Sequence, residues 1–295
     1  MQRTANPPAL QIREVSPRDG LQAEAPQSTA DRINLIHRLV DCGVRNIEVA
    51  SFVRDDLVPS MANAEAVVER LPQVAGLVCF GLVANQKGVA RAAACGLRQV
   101  TVTVSLSDTY SRKNVGESAR DAVRTVESML KSAQHLGLYS DVVVSCSFGS
   151  PFGDVDALHD LPDLLHKLGT AGPDAITLAD TTGVATPRLI SRVAEMCGTD
   201  FGIHLHDSIG NALVNAYAAM QSGFTQFDTS LGGIGGSPFA PGAMGNLATE
   251  SLVLLAHNEG RATGIDLDSL LEVGRYLQTI LKHELPSRLL QVSSN

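Results

Sequence analysis

The sequence has no CxxC and no paired cysteine spacing. Its five cysteines, Cys42, Cys79, Cys95, Cys146 and Cys197, are scattered along the chain, so no disulfide framework can be read from them. Buried thiols in a reducing, cytoplasmic compartment are the expectation. Lys and Arg never gather into a block that would offset the formal charge of -8, which excludes a nucleic-acid partner. An anionic substrate would have to be held by local cations. No apolar run approaches about 18 residues, and the N-terminal "MQRTANPPALQI" has no apolar core of signal length, so no membrane partner is expected. No linker-like stretch divides the chain, and residues 1–295 read as one domain.

What is present is a regular alternation. "LQIREVSP" reads as a strand, and "STADRINLIHRLVDCGV" follows with apolar residues at helical spacing behind a Ser/Thr cap. "NIEVASF", "LVCFGLVA", "QVTVTVSL", "DVVVSCSF", "AITLADT", "FGIHLHD" and "QFDTSL" repeat the strand pattern, each with an amphipathic stretch behind it. Eight such units imply parallel pairing with right-handed crossovers, and their count and size match a (β/α)8 TIM barrel. The barrel is expected over about residues 10–262. A C-terminal helical extension is expected over about 263–290, around "DLDSLLEVGRYLQTILKHEL". That tail helix could bury its apolar face against a second subunit.

In such a barrel the chemistry sits at the C-terminal ends of the strands. The ionisable residues there are Arg18 and Asp19 from "SPRDG", Glu48 from "IEVASF", Asp180 from "LADTTG", His204, His206 and Asp207 from "HLHD", and Asp228. Side chains two apart on a strand share a face, so His204 and His206 would project together as half of a divalent-metal site. Asp19 would add a carboxylate and Asn246 a carbonyl. That mixed set suits Mg2+ or Mn2+ better than a closed zinc site, although two histidines keep zinc in contention. Arg18 could stabilise negative charge developing on a carbonyl oxygen, or form a structural ion pair with Glu48 or Asp180.

"LGGIGGSPFAPGAMGN", Leu231 to Asn246, is poor as a dinucleotide fingerprint and fits a flexible lid. Ser237 lies near its apex. No upstream His–Asp pairing marks that serine as a hydrolase nucleophile.

Together "SPRDGLQAE", "IEVASFV", "GVATPRLI", "HLHDSIGNALVNAYAAMQSG" and "GGIGGSPFAPGAMGNLATE" resemble the 3-hydroxy-3-methylglutaryl-CoA lyase family, from about residue 10 to 285. This family is one of the TIM-barrel metallo-lyases, which include homocitrate and isopropylmalate synthases. The resemblance implies divalent-metal-dependent retro-Claisen cleavage of an acyl-CoA thioester to acetyl-CoA and a keto acid, acetoacetate in the namesake reaction. It implies Asp19, His204, His206 and Asn246 as metal ligands, His204 also as a catalytic residue, and Arg18 as the arginine that stabilises the enolate. Glu48 and Asp180 match acidic residues of the active site. For the CoA phosphates, Ser111, Arg112, Lys113 and Asn114 in "SRKN" offer two cations, with a solvated basic turn as the alternative. A homo-oligomer, dimer or tetramer, is expected.

The sequence departs from the family's pattern at one position. Typical members carry a catalytic cysteine where this chain has Ser237. A hydroxyl is a weaker acid than a thiol, whose ordinary pKa is about 8.5. Cleavage of a related 3-hydroxyacyl-CoA, citramalyl-CoA-like or longer and branched, is therefore an alternative, as is a non-catalytic barrel that binds acyl-CoA.

Overall fold

Eight short strands alternate with helices and close on themselves in the computed structural model, which describes residues 7–236 and 245–292. In chain order the strands are β1 (Gln11–Glu14), β2 (Asn46–Ser51), β3 (Val78–Leu82), β4 (Gln99–Ser105), β5 (Tyr139–Ser145), β6 (Ala175–Asp180), β7 (Gly202–Leu205) and β8 (Gln226–Thr229). Each pairs in parallel with the next. β1 pairs with β8 from Gln11↔Gln226 to Glu14↔Thr229, which closes a (β/α)8 barrel.

Parallel neighbours need long crossovers, and helices supply them. They are α1 (Thr29–Asp41), α2 (Ala64–Val68), α3 (Gln86–Ala94), α4 (Asp108–Val115), α5 (Ala119–His135), α6 (Ala157–Ala171), α7 (Pro187–Cys197) and α8 (Ala212–Ser222). After β8 come α9 (Thr249–Asn258), α10 (Leu267–Leu281) and α11 (Arg288–Val292). Side-chain caps start many of them: the hydroxyls of Ser28, Ser118 and Thr186 each accept a backbone N–H three residues on. α5 buries Ala122, Val126, Met129, Leu130 and Ala133, a stripe at helical spacing. That stripe and its counterparts pack on outward strand residues such as Ile47, Val49, Val142 and Val144, and the main core lies between sheet and helices.

Three local expectations change. The first strand ends at Glu14, and "SPRDG" winds into a π-helical turn, Ser16–Gly20. Ser111 to Asn114 form no turn: they lie on α4, which Ser107 caps and Gly116 ends in the left-handed region. An Asp108–Arg112 pair one helical turn apart supports that helix. The apolar face of α10 is spent inside the chain, where Leu270, Leu271, Val273 and Leu277 are buried against α1, α9 and α11. Exposed apolar residues occur at several places on the surface, and Leu213, Val214 and Tyr217 gather along α8, with Ile209 just before it. Among the described residues no helix is long and apolar enough to cross a membrane.

Candidate active site

The π-helical turn after β1 explains how two consecutive residues reach one site. A wider turn carries the chain across the barrel mouth instead of along the strand, so Arg18 and Asp19 need not point to opposite faces. Arg18 Nη1 donates to Asp19 Oδ1 at 2.7 Å, and its Nε donates to Glu48 Oε2 at 2.5 Å. Glu48 projects from β2 with its side chain 1% exposed, so this ion pair is shielded from water. The turn is fastened from beneath. Buried Glu14 accepts from Ser16 N at 2.8 Å, Leu231 N at 3.0 Å and Thr249 Oγ1 at 2.6 Å, tying the turn to the start of the glycine loop.

His204 and His206 leave the end of β7 on one face, as period-two spacing requires. Their Nε2 atoms lie 3.2 Å apart, and His204 Nδ1 is 3.2 Å from Asp228 Oδ2. Ligand atoms of Asp19, His204 and His206 all fall within 4.8 Å of one another. Asn246 joins them from the far end of the glycine loop: its Nδ2 donates to Asp19 Oδ2 at 2.7 Å and to Ile234 O at 2.9 Å. Gly235, at φ +112°, makes that approach possible, since a Cβ there would stand 2.4 Å from Asn246 Nδ2.

These residues fit a divalent cation. Asn246 Oδ1 is buried without a hydrogen-bond partner, an arrangement that normally costs free energy. Two imidazole nitrogens 3.2 Å apart have the spacing of neighbouring corners in a coordination shell. The charge states of Asp19 and His206 agree. Burial alone would raise the Asp19 carboxyl, but Arg18 and then the two histidines hold it below its ordinary range. Burial, reinforced by His204, pushes His206 down to about 4, so its ring is neutral and able to ligate near neutral pH. His204 is opposed by burial yet raised by its bond to Asp228 and that residue's charge.

Asp180 closes β6. Its Oδ1 accepts from Val184 N at 2.9 Å and Ala185 N at 3.1 Å, while Oδ2 is buried without a partner. Burial pushes this carboxyl up to about 6. The four residues expected to meet CoA lie on α4. Ser111 is buried there, Arg112 is exposed and paired with Asp108, and Lys113 Nζ lies 4.3 Å from the centre of the Phe152 ring. Ser237 falls outside the described residues.

The family model described as HMGL-like matches residues 9–277. The chain belongs to the HMGL-like family. It is 36% identical over 272 residues to a hydroxymethylglutaryl-CoA lyase of Pseudomonas mevalonii, covering 90% of each chain. The crystal structure of the Bacillus subtilis HMG-CoA lyase matches it with a TM-score of 0.93 at 33% identity, covering 99% of this chain and 100% of that one. An HMG-CoA lyase from Acinetobacter baumannii, solved in complex with coenzyme A and 3-methylmalate, matches with a TM-score of 0.91 at 34% identity. That match covers 98% of this chain and 96% of the other.

This HMGL-like barrel also holds residues that sequence reasoning did not connect. Asp228 was visible as a charge on the eighth strand, but its contact with His204 was not. Arg13 and Asp141 were passed over as strand residues, yet both sit inside the barrel and interact there. Charged residues in strands that are otherwise buried on both faces were the available signal.

Proposed function

We propose that the chain cleaves 3-hydroxy-3-methylglutaryl-CoA to acetyl-CoA and acetoacetate. The observation that carries this is the facing of Arg18 and the Asp19–His204–His206 cluster across one turn of chain. A divalent ion, Mg2+ or Mn2+, held by Asp19, His204, His206 and the free Oδ1 of Asn246, would supply Lewis acidity that eases ionisation of the substrate's C3 hydroxyl.

The protein's own groups do the rest. Both ring nitrogens of His204 are committed, one to Asp228 and one to the cluster, so this histidine holds the site rather than taking the proton. Asp180, with an unpartnered oxygen and a carboxyl that burial pushes up to about 6, accepts the C3 hydroxyl proton. The C2–C3 bond then breaks. C3 becomes the ketone of acetoacetate, and the bonding electron pair passes to C2 and onto the thioester oxygen. The Arg18 guanidinium, kept in place by Glu48 and Asp19, holds that charge with its remaining N–H groups. Protonation of C2 completes acetyl-CoA. Ser237 stands where family members carry the loop cysteine and would relay this proton from water. Cys146 does not substitute for it, because burial pushes its thiol up to about 12.

Ser111, Arg112, Lys113 and Asn114 are proposed to meet the CoA phosphates. The five unpaired cysteines support a reducing, cytoplasmic setting. The exposed apolar residues of α8 support a homo-oligomer.

Ser237 favours a second reading, in which a different 3-hydroxyacyl-CoA is the preferred substrate. A thioester panel with Mg2+ or Mn2+ separates the two. The 3-hydroxy-3-methylglutaryl ester is expected to turn over fastest, with acetoacetate as the keto acid. Faster cleavage of a citramalyl or longer branched ester would move the assignment, and CoA binding without any cleavage would leave a binding barrel.

A further inference from the structure

Beneath the candidate active site the barrel interior holds a second charged layer that the cleavage chemistry leaves unused. Arg13 on β1 grips Asp228 on β8 with two parallel bonds, Nε to Oδ1 at 2.7 Å and Nη2 to Oδ2 at 2.7 Å. Its Nη1 donates to Asp141 Oδ2, across the barrel on β5, at 2.5 Å. Thr177 Oγ1 donates to the same oxygen at 2.9 Å. The guanidinium carbon lies 4.9 Å from the centre of the Phe80 ring. Room is kept for the layer at Gly202, where a Cβ would stand 2.6 Å from Thr177 Oγ1. Below it a cavity of about 300 Å³ opens at the N-terminal mouth, lined by Gln11, Gln99, Tyr139 and Gln226 as well as these charges.

Stability alone does not account for three buried charges. Barrel interiors are usually filled by Val, Ile and Leu, and well-packed apolar residues often match or outperform a buried ion pair. The layer does one thing apolar side chains cannot. The Asp228 Oδ2 that Arg13 grips is also the acceptor for His204 Nδ1, at 3.2 Å. A two-point grip fixes the plane of the carboxylate. An anionic acceptor at Nδ1 puts the ring proton there, which leaves the Nε2 lone pair facing His206 and Asp19.

We infer that Arg13 and Asp228 are positioning residues, a strut along the barrel axis that sets the orientation and tautomer of His204 for divalent-cation binding at the opposite mouth. Asp141 anchors the foot of the strut. The inference rests on the metal centre of the proposed lyase.

Mn2+ titration into the whole, EDTA-stripped protein tests it, with thermal unfolding as the check on folding. Arg13→Lys keeps a cation but cannot hold both carboxylate oxygens. Asp228→Asn keeps the shape and loses the charge. Each variant is expected to bind Mn2+ about 10- to 100-fold more weakly than wild type while unfolding cooperatively. At saturating Mn2+ both should recover turnover with the thioester KM unchanged, a separation that a disturbed barrel would not give. Wild-type Mn2+ affinity in either folded variant overturns the strut. A wild type that binds Mn2+ but cleaves no thioester defeats the lyase assignment and leaves the affinity comparison decisive. A wild type that binds no Mn2+ overturns both.

Discussion

Asn246 Nδ2 donates to Asp19 Oδ2 at 2.7 Å, joining residues 227 positions apart. One lies in the first turn after β1, the other at the end of the glycine loop. Through this bond the loop's last residue becomes part of the Asp19–His204–His206 cluster, and its free Oδ1 stays buried without a partner.

Replacing that amide with a carboxylate isolates its role. In Asn246→Asp a second carboxylate meets Asp19 in the absence of metal, and like charges at that distance repel. Metal-free protein is expected to lose about 3 kcal/mol of stability, the scale of an uncompensated buried charge. Mn2+ should then raise its unfolding temperature by more than it raises that of wild type. Calorimetry in EDTA and in Mn2+ reads both. Unchanged metal-free stability would mean the two side chains do not bear on one another.

Arg18 is expected to act on the developing charge and not on ground-state binding. Arg18→Met should lower kcat by about 10²- to 10³-fold with little change in KM, as loss of a pre-placed donor does elsewhere. Arg18→Lys should fall between, since it keeps the charge but not the fork that reaches Glu48 and Asp19 together. Steady-state kinetics at saturating metal separates kcat from KM, and a loss confined to KM would remove Arg18 from the chemical step.

Asp180 gives a prediction with opposite signs for activity and stability. Burial raises its carboxyl from 3.8 to about 6. An acid raised in the folded state binds its proton more tightly there than in the unfolded chain. Its favourable contribution is therefore complete below about 4 and is lost as pH rises through about 6. Turnover runs the other way, because only the ionised carboxylate accepts a proton. Asp180→Asn is thus expected to be more heat-stable than wild type at pH 8, with the gap closing as pH falls towards 4. Its kcat should drop about 10²- to 10⁴-fold, and the acidic limb near pH 6 should vanish from its rate profile. A variant that is both active and less stable at pH 8 contradicts this assignment.

The barrel was legible because each strand–helix unit carries its own signal. Short β-rich runs, Ser/Thr caps and helical stripes are local properties, and eight strand–helix units in series leave few topologies. The His204–His206 pair was legible for the same reason, since spacing by two fixes a shared face. The winding of Ser16–Gly20 into a π-helical turn was not, because a strand end and a π turn look alike in five residues of sequence. α4 was missed because its sequence, "DTYSRKNV", has almost no apolar stripe. Its signals are the Ser107 cap, the Asp108–Arg112 pair and Gly116. The fate of the α10 face depended in part on α1, which lies far away in sequence. The same holds for Arg13, whose partners on β5 and β8 become neighbours only when the barrel closes.

The most direct measurement gives metal-stripped wild-type protein 3-hydroxy-3-methylglutaryl-CoA and follows both products before and after Mn2+ is added. Acetyl-CoA and acetoacetate are expected in equal amounts, only after the metal is present, and from wild type but not from Asp19→Ala. Equal rates with and without EDTA, or no acetoacetate from the metal-loaded protein, would contradict a metal-assisted lyase built on Asp19, His204 and His206.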